Sequence, residues 1–186
     1  MKPASHSEKV RLFALGFLLS AIIFCLLVAL GVFVPSSAVA TSAQPVFSPN
    51  SEPQVIDFLN SAQNSIDVEM YIFSSKNVAD ALVQKAQSGV KVRVIVELRT
   101  DSGASLVKMI QYLKDGGVDV RFASSGFQLT HSKMVVVDGK KVLLGSINFS
   151  KSALTKNREA AVIISGPISS DFESVFEQDW GIGSAA

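Results

Sequence analysis

The pattern of apolar and polar residues divides the chain into an N-terminal apolar segment and a longer region of short alternating segments. Residues 12–34 contain no charge, and at about 1.5 Å per residue a helix of this length crosses a hydrocarbon core of about 30 Å. Residues 1–11 carry Lys2, Lys9 and Arg11 against one acidic residue, Glu8. This bias predicts a cytoplasmic N-terminus, with the rest of the chain outside the cytoplasm.

Two fates of the apolar segment stay open. Its length favours a retained transmembrane anchor, because the apolar part of a secretory signal usually has about 7–15 residues. Residues 38–40 (Ala-Val-Ala) have the small-x-small pattern of a signal peptidase site, and cleavage there would give a secreted or periplasmic protein. Residues 35–50 are rich in Ser, Ala and Pro and indicate a linker.

Residues 51–182 predict one α/β domain, in which helical and strand periodicities alternate before a strand-rich second half. Ser51 and Gln54 fit a capping box at the first helix. Apolar residues at helical spacing then predict helices near 55–62, 78–86, 106–113 and 168–180, and strands at 66–73, 90–98, 118–122, 133–137, 141–144 and 159–165. This order favours a mixed β-sheet with helices packed on both faces.

Composition narrows the chemistry. Beyond residue 40 the chain has 14 basic and 15 acidic residues, a formal net charge of −1, which argues against a protein that coats nucleic acid. Basic residues are nevertheless concentrated between residues 131 and 159, which suits an anionic substrate, although an ordinary solvated surface explains such a cluster equally. The single cysteine, Cys25, lies in the apolar segment, so neither an intrachain disulfide nor a cysteine-based metal site is possible.

One segment combines residues suited to phosphoryl chemistry. His131 and Lys133 lie two apart at the start of a predicted strand, and therefore project to the same face. Ser146 and Asn148 have the same relation at the end of the next strand. A turn at 138–139 (Asp-Gly) would bring the two strand ends together. The resulting patch offers a nucleophilic imidazole, a cation for phosphate oxygens and two neutral hydrogen-bond donors, with no need for a metal.

This spacing, His-x-Lys, four residues, Asp, six residues, Gly-Ser-x-Asn, resembles the HKD motif of the phospholipase D superfamily. Residues 51–180 are similar to its small, single-motif, endonuclease-like members, in which a glutamate follows the motif at the position of Glu159. The resemblance implies that His131 is the nucleophile, that Glu159 orients it, and that the phosphate is held by Lys133, Ser146 and Asn148. We expect structural roles for Asp138, in the turn, and Gly145, at a close backbone approach.

Family members use two motifs and proceed through a phosphohistidine. A chain with one motif therefore implies a homodimer in which His131 of each copy meets at a two-fold axis. The resemblance implies no cofactor and no metal. Tyr71 and Phe127 either stack on a base or pack in the core, and we expect packing in the core.

The motif leaves the substrate open. We expect an endonuclease that hydrolyses DNA or RNA, on the similarity to the small single-motif members. A phospholipase D or cardiolipin hydrolase acting on membrane phospholipid is the alternative, suited to the apolar segment. The third hypothesis is an inactive module that only binds phosphate groups.

Overall fold

The structure is a computed structural model that describes residues 6–30, 41–100 and 103–186. Its N-terminal unit is one helix, α1 (His6–Ala29), which is apolar after its first turns. Its 24 residues are long and apolar enough to cross a membrane, a property that a signal sequence shares. The helix begins six residues earlier than the uncharged run at residue 12. The possible cleavage site at 38–40 lies outside the described residues.

The second unit is built on a β-sheet whose eight strands, among the described residues, are β1 (Ser42–Phe47), β2 (Ser65–Met70), β3 (Lys91–Val96), β4 (Asp119–Phe122), β5 (Lys133–Val137), β6 (Lys141–Gly145), β7 (Ala160–Ser165) and β8 (Ser184–Ala185). The helices of this unit are α2 (Glu52–Asn60), α3 (Lys76–Gln87), α4 (Gly103–Asp115), α5 (Lys151–Thr155) and α6 (Ser169–Ile182).

The sheet is mixed, with the strand order β1-β7-β6-β5-β2-β3-β4-β8. Strands β2, β3 and β4 are parallel, and α3 and α4 connect them as crossovers. All other pairings are antiparallel, including the β5–β6 hairpin. The predicted mixed sheet is therefore confirmed, and its parallel strands lie in the half of the sheet that ends at β8.

Side chains of β5 alternate between two cores, as the period of a strand requires. Val135 and Val137 pack in the larger core, with apolar residues of α2, α3 and α4. Met134 and Val136 point to the other face, where they pack with Phe176 of α6. The predicted packing of helices on both faces is thus confirmed.

A buried arginine joins α6 to the sheet. Arg93 Nε donates to Asp67 Oδ1 at 2.6 Å, and its two terminal nitrogens donate to the carboxylate of Glu177 at 2.6 and 3.1 Å. The guanidinium also lies 4.9 Å from the ring centroid of Phe176. A shift of α6 would separate Glu177 from the planar guanidinium, so this ion pair fixes the helix in one orientation.

The boundaries of the predicted domain differ from the structure at both ends. Part of the predicted 35–50 linker is β1, an edge strand in which Val46 alone is buried, so it lacks the alternation that marks a strand. The two residues of β8 extend the sheet past residue 182. The capping box is also absent: the Ser51 hydroxyl donates to the Leu154 carbonyl at 3.3 Å instead of capping α2.

Candidate active site

All residues of the motif except Asp138 collect at one edge of the sheet, because neighbouring antiparallel strands begin and end there in turn. Strand β5 begins at Lys133, β6 ends at Gly145 and β7 begins at Ala160. The parallel strands β2 and β3 end at the same edge, since β5 runs antiparallel to β2. This edge is where catalytic side chains collect in sheets of this kind.

His131 and Lys133 are in direct contact. Lys133 Nζ lies 3.2 Å from His131 Nδ1 and 3.4 Å from Nε2, and it donates to the His131 carbonyl at 2.8 Å. The Tyr71 ring packs against the imidazole, with the ring centroids 4.3 Å apart, and Lys133 Nζ lies 5.0 Å from the Tyr71 centroid. A phosphate held by this ammonium would therefore lie within reach of the imidazole nitrogens.

The charge of Lys133 depends on its surroundings. Burial lowers the pKa of this lysine below its ordinary value, and the negative charge of Glu159 opposes that effect in part. Glu159 directly precedes β7 and Lys133 begins β5, at the same edge of the sheet. The site thus pairs a partly desolvated cation with a nearby carboxylate.

Glu159 is held by two polar side chains. Ser146 Oγ donates to Glu159 Oε2 at 2.6 Å, and Asn157 Nδ2 donates to Oε1 at 3.1 Å. The Ser146 hydroxyl also accepts from the backbone N–H of Ala160 at 3.1 Å, which fixes its rotamer. These bonds occupy the carboxylate within one chain, and orientation of His131 by Glu159 stays a prediction.

Asn148 belongs to the same edge through a different contact. Its Oδ1 accepts from the backbone N–H of Ile72 at 3.2 Å, just past the end of β2. This bond identifies the oxygen end of the amide, so that Nδ2 is the end from which a phosphate oxygen would accept.

Asp138 lies at the far end of the hairpin, away from His131. Both Asp138 and Gly139 have positive φ, 55° and 62°, and Lys140 N donates to the Val137 carbonyl at 3.0 Å, which makes a type I′ turn. The Asp138 carboxylate accepts from three consecutive backbone N–H groups, at residues 63–65. These contacts join the hairpin to the loop before β2.

Gly145 is required by a close approach of β6 to β7. A Cβ at this position would lie 2.5 Å from the Ala161 Cα and even closer to the Ala160 carbonyl oxygen. Any side chain would therefore force apart the two strands that carry Ser146 and Glu159.

The two aromatic residues differ from the expectation of core packing. Phe127 is 48% exposed, on the connection that leads to His131, and Tyr71 is half-buried beside the imidazole. Leu129 (39%) and Leu98 (54%) are also exposed at this edge of the sheet. Within the described residues, no three His, Cys, Asp or Glu side chains are grouped so that they could hold a metal ion.

Comparison with known proteins identifies the family of the chain. The family described as "Cardiolipin synthase, PLD-like domain" matches residues 55–180. Among curated proteins, a mitochondrial cardiolipin hydrolase from Chlamydomonas reinhardtii is 26% identical over 134 residues, covering 72% of this chain and 59% of the relative. A mitochondrial cardiolipin hydrolase from Xenopus laevis is 36% identical over 121 residues, covering 64% and 56%. The chain spans little more than half the length of these relatives.

Among solved structures, the phospholipase D family member Nuc from Salmonella typhimurium superposes with a TM-score of 0.74 at 30% identity, covering 79% of this chain and 99% of Nuc. NucT from Helicobacter pylori shares the fold, with a TM-score of 0.71 at 20% identity. A family match over most of the chain and a relative matched along almost its whole length give the same answer: the chain belongs to the phospholipase D-like family.

Proposed function

We propose that the protein hydrolyses the phosphodiester bonds of DNA or RNA through a phosphohistidine formed on His131. The observation that supports the chemistry is the contact of Lys133 Nζ with both imidazole nitrogens, at 3.2 and 3.4 Å, beside the Ser146–Glu159 pair. An imidazole nitrogen attacks phosphorus, the phosphorus–oxygen ester bond breaks, and the leaving oxygen takes a proton.

The proton donor in this scheme is His131 of a second copy, placed opposite the first across a two-fold axis. The same imidazole then takes a proton from water, and the resulting hydroxide attacks phosphorus and releases the first His131. Lys133 and Asn148 hold the phosphate oxygens, and Ser146 joins them when its one hydroxyl proton turns from Glu159 to the phosphate. Glu159 fixes the imidazole, from the same copy or from the partner.

Nucleic acid is the first candidate substrate. The motif and its trailing glutamate resemble those of the small single-motif nucleases, and almost all of Nuc is covered by this chain. A substrate of this kind also suits the basic residues that follow the motif, among them Lys151 and Lys156, both exposed. Contacts between lysine side chains and backbone phosphates supply affinity without sequence preference.

Phospholipid is the second candidate, favoured by one observation of its own. Three apolar side chains, Leu98, Phe127 and Leu129, are exposed at the edge of the sheet that holds His131. Apolar residues around a polar site suit a substrate with a phosphate group and acyl chains. The relatives named cardiolipin hydrolase agree with this candidate, and α1 would hold the domain at a membrane.

The test offers the full-length protein, in mild detergent, both plasmid DNA and vesicles of cardiolipin and phosphatidylcholine. We expect DNA cleavage that His131→Ala abolishes and that His6→Ala, a change at the chain's other histidine, leaves intact. Lipid hydrolysis without DNA cleavage would select the second candidate. Cleavage of either substrate by His131→Ala would refute the nucleophile, and hydrolysis of neither would support a binding module.

A further inference from the structure

The buried carboxylate of Glu97 binds the connection between β4 and β5, which carries His131. Glu97 follows β3 and is 1% exposed. Its Oε1 accepts from the backbone N–H and the Nε of Arg99, at 2.8 and 2.7 Å. Its Oε2 accepts from Arg99 Nη2 and from the backbone N–H of Thr130, both at 2.8 Å. Burial alone would raise the pKa of Glu97, but these hydrogen bonds outweigh it and hold the pKa below its ordinary value.

Arg99 extends this contact to the main chain of residues 123–132, the connection between β4 and β5. Its Nη1 donates to the carbonyls of Phe127 and Gln128, at 2.6 and 2.9 Å, and its Nη2 donates to the carbonyl of Ser124 at 3.2 Å. A guanidinium presents its donors in a rigid plane, so these bonds fix several carbonyls relative to one another. The connection therefore takes its shape from the Glu97–Arg99 pair.

The His131 backbone lies between two fixed peptide groups. On one side, Thr130 N donates to Glu97. On the other, the Ser132 carbonyl accepts from Tyr71 N at 3.0 Å. The imidazole itself is exposed and contacts Tyr71 and Lys133. Because so little packs around the ring, the position of its nitrogens follows the position of this backbone.

We propose that Glu97 and Arg99 are positioning residues for the reaction, which hold the His131 backbone so that its imidazole meets the phosphate bound at Lys133. This inference rests on the proposed function, in which His131 is the nucleophile. Neither residue touches the reacting atoms. Since a displacement of about 1 Å costs a reaction of this kind about 100-fold in rate, loosening the connection lowers kcat far more than it changes KM.

The principal variant is Arg99→Lys, which keeps a positive charge beside Glu97 but cannot reach Glu97 and three carbonyls at once. Arg99→Ala and Glu97→Gln complete the set. Gln128→Ala is the matched control, because it changes the same connection and leaves the carbonyl that Arg99 uses in place. For each variant, kcat and KM are measured on bis(p-nitrophenyl) phosphate, and hydrogen exchange is measured along the full-length chain.

We expect Arg99→Lys to remain folded, to exchange faster within residues 123–132 and to lose about 100-fold in kcat, with KM changed less than threefold. Gln128→Ala should match the wild type. Added guanidinium at millimolar concentration should restore part of the activity of Arg99→Ala, and the double variant Glu97→Gln/Arg99→Ala should lose no more than Arg99→Ala alone.

Faster exchange with an unchanged kcat would overturn the positioning role, and unchanged exchange in Arg99→Lys would overturn the structural premise. If Arg99→Ala fails to fold, Arg99→Lys alone decides between these outcomes. The failure of the proposed function looks different: His131→Ala would stay active, while the exchange difference in residues 123–132 would persist.

Discussion

Ser146 and Glu159 form the shortest side-chain contact of the candidate site, with Ser146 Oγ donating to Glu159 Oε2 at 2.6 Å. Without substrate, the hydroxyl donates its one proton to a carboxylate whose charge also acts on Lys133. The bond links β6 to β7 at the edge where the phosphate is expected. It makes Glu159 part of the site even without a hydrogen bond to His131 in the same chain.

Replacing Glu159 with Gln should therefore reduce kcat by about 100-fold or more, because the neutral amide keeps the shape of the site and removes its negative charge. Thermal unfolding should change little. Asn157→Ala is the matched control, since it removes the other hydrogen bond to the carboxylate and leaves the charge. If Glu159→Gln and Asn157→Ala have equal effects, the charge of Glu159 has no part in the reaction.

Asp138→Ala should destabilise the fold by about 1–3 kcal/mol, because three backbone N–H groups lose their acceptor and alanine is strained at positive φ. Asp138→Asn should lose less, since asparagine tolerates this conformation and keeps one acceptor oxygen. Urea unfolding gives the loss of stability. The kcat of the folded fraction should stay within threefold of the wild type, and a 100-fold loss would instead give Asp138 a part in catalysis.

Stability should fall as the pH rises through neutrality, and Glu69 gives one reason. Burial raises the pKa of Glu69 from 4.5 to about 7, and the nearby charge of Asp179 adds to the effect against a hydrogen bond from Ser132. Between these two values the folded state binds more protons than the unfolded state. The stabilisation is therefore full below about pH 4.5 and is lost as the pH rises through 7.

Glu69→Gln removes this titration. At pH 8 the variant should be more stable than the wild type by about 1–3 kcal/mol, and at pH 5 the two should be similar. Glu177→Gln should act in the opposite direction, because Arg93 holds the pKa of Glu177 below its ordinary value and that stabilisation is present at neutral pH. Urea unfolding at pH 5, 6, 7 and 8 measures both. An unchanged slope in Glu69→Gln would show that Glu69 is already charged in the folded state.

A histidine nucleophile with lysine as the phosphate ligand has no step that requires a metal ion. We expect activity on DNA to survive an EDTA concentration about 10-fold above that of any divalent ion. The measurement is the initial rate after dialysis against the chelator. Loss of activity that a divalent ion restores would contradict the proposed chemistry.

Whether α1 is retained or cleaved determines the first residue of the mature chain. We expect the full chain in the membrane fraction, released by detergent and not by high salt, because α1 carries no charge after Arg11 and is long and apolar enough to cross a membrane. A mature chain that begins at Thr41 and appears in the soluble fraction would show cleavage after Ala40 instead. N-terminal sequencing of the two fractions distinguishes these results.

Much of the site follows from local sequence, because its parts lie on one hairpin. The interval between His131 and Asn148 contains two strands and their turn, so periodicity and a turn signal predict which residues meet. The Asp138–Gly139 turn and the helices on both faces follow in the same way. Strand β1 does not, because an edge strand with one buried residue has no pattern of its own and takes its place by pairing with β7.

Contacts between distant residues explain what the sequence did not predict. Glu97 lies in a predicted strand and could face the pocket, but the motif gives it no role, and its bond to Thr130 exists only because the end of β3 and the β4–β5 connection meet in the fold. Phe127 is likewise an aromatic residue of the kind that fills protein cores, yet the connection turns its side chain toward solvent. In both cases the deciding interaction spans about thirty residues, beyond the reach of local periodicity.

The β5–β6 hairpin also limits where residues can be inserted into or deleted from proteins of this family. Lys133 and Ser146 belong to its two open ends, and the type I′ turn at Asp138 fixes the pairing of Met134 with Leu144. Inserting or deleting one codon within this hairpin would shift the pairing and turn every following side chain to the opposite face. Length variation should therefore be tolerated in the connections outside the site, while the interval from Lys133 to Ser146 and the β4–β5 connection that carries His131 keep a constant length.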